Sequence, residues 1–125
     1  MPYTAQRSAD GRCVELVYAG RVGMDELQSA FDEALALASQ LPRPLLLADC
    51  TGLTENPPLA GLYFLADRLA ALPMERRVRE AVLLPVRAGP GDSVSFWETA
   101  CTNRGLEVKV FAERPAALDW LLRDA

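Results

Sequence analysis

The stretch PRPLLLADCTGLT, residues 42–54, decides the fold. Its apolar run, Leu45 to Ala48, leads straight into Asp49, Cys50, Thr51 and Gly52. A short continuous apolar run bounded by proline and glycine reads as a strand covered on both faces, because a one-sided strand would alternate with polar residues. The spacing predicts that this strand ends at Asp49. Open α/β sheets usually hold ligands or partners at the carboxyl ends of their strands, so Asp49 becomes the first candidate site residue.

Working outward, Tyr3 to Ser8 is expected as an edge strand, and Asp10-Gly11 is a hairpin signal. Cys13 to Ala19 alternates, with Val14, Leu16 and Tyr18 on one face. Gly20 to Gly23 makes a turn, after which Asp25 and Glu26 complement the first turn of a helix over about 24–39. Leu27, Ala30, Phe31, Ala34, Leu35 and Ala38 form its apolar stripe. Beyond the central strand, Asn56 is the expected cap of a second helix, with Pro57 and Pro58 in its first turn. Tyr63 and Phe64 lie beside that helix's stripe and read either as a wide core face or as an exposed patch for a partner.

Residues 75–79 form a charged connection, read as a solvated surface rather than a phosphate site. The next buried strand is expected at Ala81 to Val86, followed by a Gly/Pro loop over Arg87 to Gly91. Asp92 or Ser93 would cap a third helix carrying Phe96 and Trp97; Gly105 is placed to end it in the left-handed conformation. Val108 to Phe111 and a helix starting at Pro115 complete a β-β-α-β-α-β-α-β-α order. Strands alternating with helices imply an α/β domain, with a mostly parallel five-stranded sheet and an antiparallel edge strand.

Composition narrows the chemistry. The chain has 125 residues, enough for one domain with a real core, and a net charge of -4, the wrong sign for nucleic acid. It contains no histidine, which removes Ser-His-Asp and Cys-His machinery and any His-ligated metal. Its lone lysine is Lys109. The three cysteines (Cys13, Cys50, Cys101) are far apart and form no CxxC pair, so each is read as a small buried hydrophobe in a reducing compartment. The N-terminus has no apolar core and no run spans a membrane, so the cytoplasm is the expected location.

The ordered set of elements resembles the STAS class, the fold of bacterial anti-sigma-factor antagonists and of sulfate-transporter tails. Leu45 to Thr54 is similar to that class's central strand. Phe96 to Gly105, Val108 to Phe111 and Ala117 to Leu121 resemble the closing half of the SpoIIAA-like proteins. The resemblance implies a non-enzymatic regulatory domain, in which a serine at the start of the second helix is phosphorylated. Here Asn56, Pro57 and Pro58 stand in that region and supply no such hydroxyl, so the usual switch cannot operate. Thr51 and Thr54 are the nearest hydroxyls.

Three functional expectations follow. The first is a domain without cofactor or metal that binds a protein partner or small ligand through Asp49, Thr51, Thr54, Asn56, Tyr63, Phe64 and Trp97, and that forms homodimers with Phe64, Tyr63 or Trp97 in the contact. The second is a carrier of a small hydrophobic ligand, from the likeness of this element order to the lipid-transfer SEC14 fold. The third is an aspartyl phosphatase, because Asp49-Cys50-Thr51-Gly52 also looks like the nucleophile loop of haloacid-dehalogenase-type enzymes. That chemistry needs further carboxylates for magnesium and a lysine for the phosphoryl charge.

Overall fold

In the computed structural model, residues 2–84 and 91–123 are described. The elements are β1 (Tyr3–Arg7), β2 (Val14–Gly20), α1 (Met24–Ala38), β3 (Leu45–Leu53), α2 (Leu59–Ala70), β4 (Arg79–Leu83), α3 (Gly91–Thr102), β5 (Glu107–Phe111) and α4 (Arg114–Leu121), with a 3₁₀ turn over Met74–Arg76 before β4. The order is the one expected, and the sheet is too. Its strands lie side by side in chain order, β1 antiparallel to β2 and the rest parallel.

This simple strand order has a consequence for the faces. Each right-handed crossover steps across the sheet in the same direction, so α1, α2 and α3 are laid on one face. The larger core lies there, where Leu16, Leu46, Ala48 and Val82 of the sheet meet Phe31, Leu65 and Trp97 of the helices. Among the described residues the other face receives α4 alone, whose Ala117 and Leu121 cover Leu45, Leu47 and Ala81. Side-chain alternation along β3 therefore sends Leu46, Ala48 and Cys50 to the three-helix face, and Leu45, Leu47 and Asp49 to the α4 face. Leu16, Leu46 and Leu47 are wholly buried, each stabilising the fold by about 2 kcal/mol of transfer free energy.

Local signals explain the element ends. The Gly23 N–H donates to Glu26 Oε1 at 2.7 Å, so the acidic first turn of α1 closes back on its cap. Gly105 has φ +78°, with Leu106 N–H bonded to Cys101 O and Gly105 N–H to Thr102 O, the paired bonds of a Schellman ending. The arginines of the charged connection also have structural work. Arg77 donates to Ala70 O and Leu72 O at the end of α2. Arg79 donates to Trp120 O and Arg123 O at the end of α4. Cations there suit the negative pole of each helix.

Several boundaries differ from the sequence reading. β3 does not stop at Asp49 but runs on to Leu53, because β2 keeps pairing with it. Val17 opposes Asp49 and Ala19 opposes Gly52, so β3 carries one extra residue, a bulge. Leu53 is thereby returned to the three-helix core. Gly52 is required at this bulge, since a Cβ would sit 2.7 Å from Tyr18 O. Asn56 does not cap α2; the cap position is Pro58, and Asn56 is exposed two residues earlier. β4 begins at Arg79, ahead of the expected Ala81; Val86 and Arg87 to Pro90 lie outside the described residues. α3 starts at Gly91, so Asp92 and Ser93 lie inside its first turn, and the residue before it is outside the described set.

Candidate functional site: two carboxylates on opposite faces

Asp49 is half-buried on the α4 face, and its own strand occupies it. Oδ1 accepts from the Thr51 backbone N–H at 3.0 Å and from Thr51 Oγ1 at 2.7 Å. An aspartate that bonds its own chain two residues on fixes the local backbone, here at the bulge of β3. Nearby, Arg114 is bound to Glu15 at 2.6 Å, and Asp49 adds to the negative field that raises the Arg114 pKa, behind the Glu15 hydrogen bond itself. Lys109 lies on β5, with β4 between it and Asp49. Among the described residues no cluster of three metal-ligating side chains occurs.

The other expected site residues do not join Asp49. Thr54 is exposed and donates its N–H to Gly20 O, holding the end of β3 to the end of β2. Thr51 and Asn56 are exposed as well. Tyr63 and Phe64 are on α2, across the sheet from Asp49, and are 52% and 50% exposed. These two residues therefore do not form the wide core face. Leu59, 53% exposed, continues the patch, and Phe96 of α3 stacks on Tyr63 with ring centroids 6.4 Å apart. The Arg104 guanidinium lies 4.6 Å from the Tyr63 ring centroid and is fixed there by Asp67 at 2.8 Å. Trp97 is buried in the core, edge-on to Phe31, and so does not lie on the surface with Tyr63 and Phe64; it lines a cavity beside Glu80. Adjacent aromatics on a helix diverge, and the outward one is Phe96.

A second polar group escaped the sequence reading. Glu80 of β4 is 1% exposed, the one buried charged side chain among the described residues. It points to the three-helix face, where Trp97 Nε1 donates to its Oε1 at 2.7 Å. Burial raises its pKa from the ordinary 4.5 to about 7, and the Trp97 hydrogen bond pulls in the opposite direction without offsetting it. Glu80 borders a cavity of about 30 Å³, between the sheet and α1, α2 and α3, whose wall also includes Tyr18, Phe31, Cys50 and Trp97. The Tyr18 hydroxyl is buried and has no hydrogen-bond partner among the described residues. Burial pushes its pKa up, and it does the same for the Cys50 and Cys101 thiols. All three cysteines are buried and unbridged, as the sequence implied. Parity could have found Glu80: Val78, Glu80 and Val82 alternate onto one face, so an acid between two buried valines was bound to be buried.

No family model matches this chain, and no curated protein matches it. Among solved structures, it is similar to an uncharacterised protein of the DUF3478 family with a SpoIIAA-like fold, from Shewanella loihica PV-4. The likeness has a TM-score of 0.59 and 19% identity, and covers 95% of this chain and 91% of the other. The protein is thus an α/β domain with a SpoIIAA-like, STAS-type fold. Among the described residues no helix is long and apolar enough to cross a membrane.

Proposed function

We propose that this protein is a non-enzymatic binding domain of the STAS-like class that docks a protein surface on α2, a second copy of itself being the occupant. The half-exposure of Leu59, Tyr63 and Phe64 along one helix carries this reading. Exposed apolar area of this kind, with aromatic residues at its centre, has the composition of an interface core. The charges beside it are already committed within the chain: Arg104 to Asp67 and Arg68 to Asp32. What remains is area rather than charge, which suits an isologous contact.

Light scattering on the purified chain across a concentration series tests this. Dimers in the wild type and monomers in Tyr63→Ser/Phe64→Ser are expected, with stability lowered by about 1–2 kcal/mol because Tyr63 gives up its stacking on Phe96 and its contact with Arg104. A wild-type monomer at every concentration would contradict it.

The small-ligand reading has support of its own in the cavity at Glu80. Its volume of about 30 Å³ corresponds to roughly two water-sized molecules, so it suits a compact polar ligand better than the acyl chain of a SEC14-type carrier.

A further inference from the structure

We propose that the cavity beside Glu80 binds a small alkylammonium ion of methylammonium size, with the Glu80 carboxylate as its counter-ion and the rings of Tyr18, Phe31 and Trp97 as its wall. This rests on the small-ligand reading and is independent of α2 docking, so either can fail without the other. Four observations support it. First, the Glu80 carboxyl is buried among apolar side chains, and no Arg or Lys pairs with it among the described residues. An ionised carboxylate in such a place is stable only with a cation and hydrogen-bond donors beside it. Second, the Tyr18 hydroxyl faces the same cavity, buried and unpartnered, and can accept from an ammonium N–H. Third, Phe31 and Trp97, which meet edge-on with centroids 5.4 Å apart, line the space together with Tyr18, among aliphatic side chains. Ring faces attract cations, and most strongly where water is excluded. Fourth, the volume of about 30 Å³ is that of roughly two water-sized molecules, which methylammonium matches better than tetramethylammonium does.

An anion does not suit this space, since the carboxylate repels it. Water alone can satisfy the hydrogen bonds but not the charge, and in that state Glu80 keeps its proton. Binding of the cation therefore replaces a proton on Glu80 and strengthens as pH rises. Among the described residues the titratable groups facing Glu80 are the Tyr18 phenol on β2 and the thiols of Cys50 on β3 and Cys101 on α3. Each is held neutral at neutral pH by burial, and α1 and α2 present only Leu27, Phe31 and Leu62 to the cavity. Among these groups Glu80 alone changes charge near neutrality.

The test titrates the intact chain with methylammonium chloride, tetramethylammonium chloride and sodium chloride at matched ionic strength, following tryptophan fluorescence and thermal midpoint. A ligand of two heavy atoms binds no tighter than the millimolar range. We expect a saturable response to methylammonium alone, stronger at about pH 8 than at about pH 6. Glu80→Gln, which still offers Trp97 Nε1 an acceptor, should weaken it roughly tenfold or more. Tyr18→Phe should weaken it several-fold, and serves if Glu80→Gln disturbs the fold. The same response to all three salts, or undiminished binding by Glu80→Gln and Tyr18→Phe, would overturn the proposal.

Discussion

Asp49 and Glu80 sit on neighbouring strands and face opposite sides of the same sheet. Asp49 is on the side covered by a single short helix; it is half-solvated and bonded to Thr51 of its own strand. Glu80 is on the side covered by three helices, 1% exposed, and receives an indole N–H in an otherwise apolar wall. Asp49 stands after the apolar run that organises the chain, where a sequence reading looks for chemistry. Glu80 is at the edge of a charge cluster and draws no notice. Position relative to a motif decided the first expectation, whereas burial decides what a carboxylate can do: a solvated acid bonded to its own backbone fixes a bulge, and a dry one stores an unmet electrostatic demand.

The largest effect expected is for Trp97→Ala. It removes a buried ring packed on Phe31 together with the donor to Glu80, and should cost about 4 kcal/mol in urea unfolding. A loss near that of a surface residue would break the claim that the three-helix face is the tightly packed one.

Glu80→Gln comes next, and its sign is informative. The folded-state pKa of Glu80 is raised from 4.5 to about 7, so between these values the folded chain holds more protons than the unfolded one. Stability from this group is full below the unfolded pKa and falls as pH rises through the folded pKa. A shift of this size corresponds to about 3 kcal/mol. Glu80→Gln should therefore match the wild type near pH 4, be more stable by up to about 3 kcal/mol near pH 8, and lose the slope between. Parallel profiles for the two proteins would contradict it.

Gly52→Ala should cost about 1–3 kcal/mol, because the new Cβ meets a backbone oxygen that cannot move aside. The smallest effect is expected for Asp49→Ala, about 1 kcal/mol or less, since the freed Thr51 groups are exposed and water can take them. A loss above that of Gly52→Ala would move the weight of the site back to the α4 face.

Much of the fold was legible because its signals are local. The run Leu45–Ala48, Gly105 at a helix end and Pro115 in a first turn each act on their own neighbourhood, and the structure places all three as read. What was hidden depended on pairing across the sheet. Aspartate and glycine are poor strand residues, so Asp49-Cys50-Thr51-Gly52 read as a strand end; β2 continues the ladder past them through a bulge. Arg77 and Arg79 read as solvated charge because the carbonyls that they cap come from α2 and α4. Phe96 and Trp97 could not be told apart until α2 and β4 were in place around them.

The most direct test of the central claim, that Glu80 is an acid withdrawn from water, is a carbon-13 NMR titration of the glutamate carboxyl groups, with Glu80→Gln to assign the resonance. A midpoint near 7 in the folded wild type is the result this account predicts, and one near the ordinary 4.5 would contradict it.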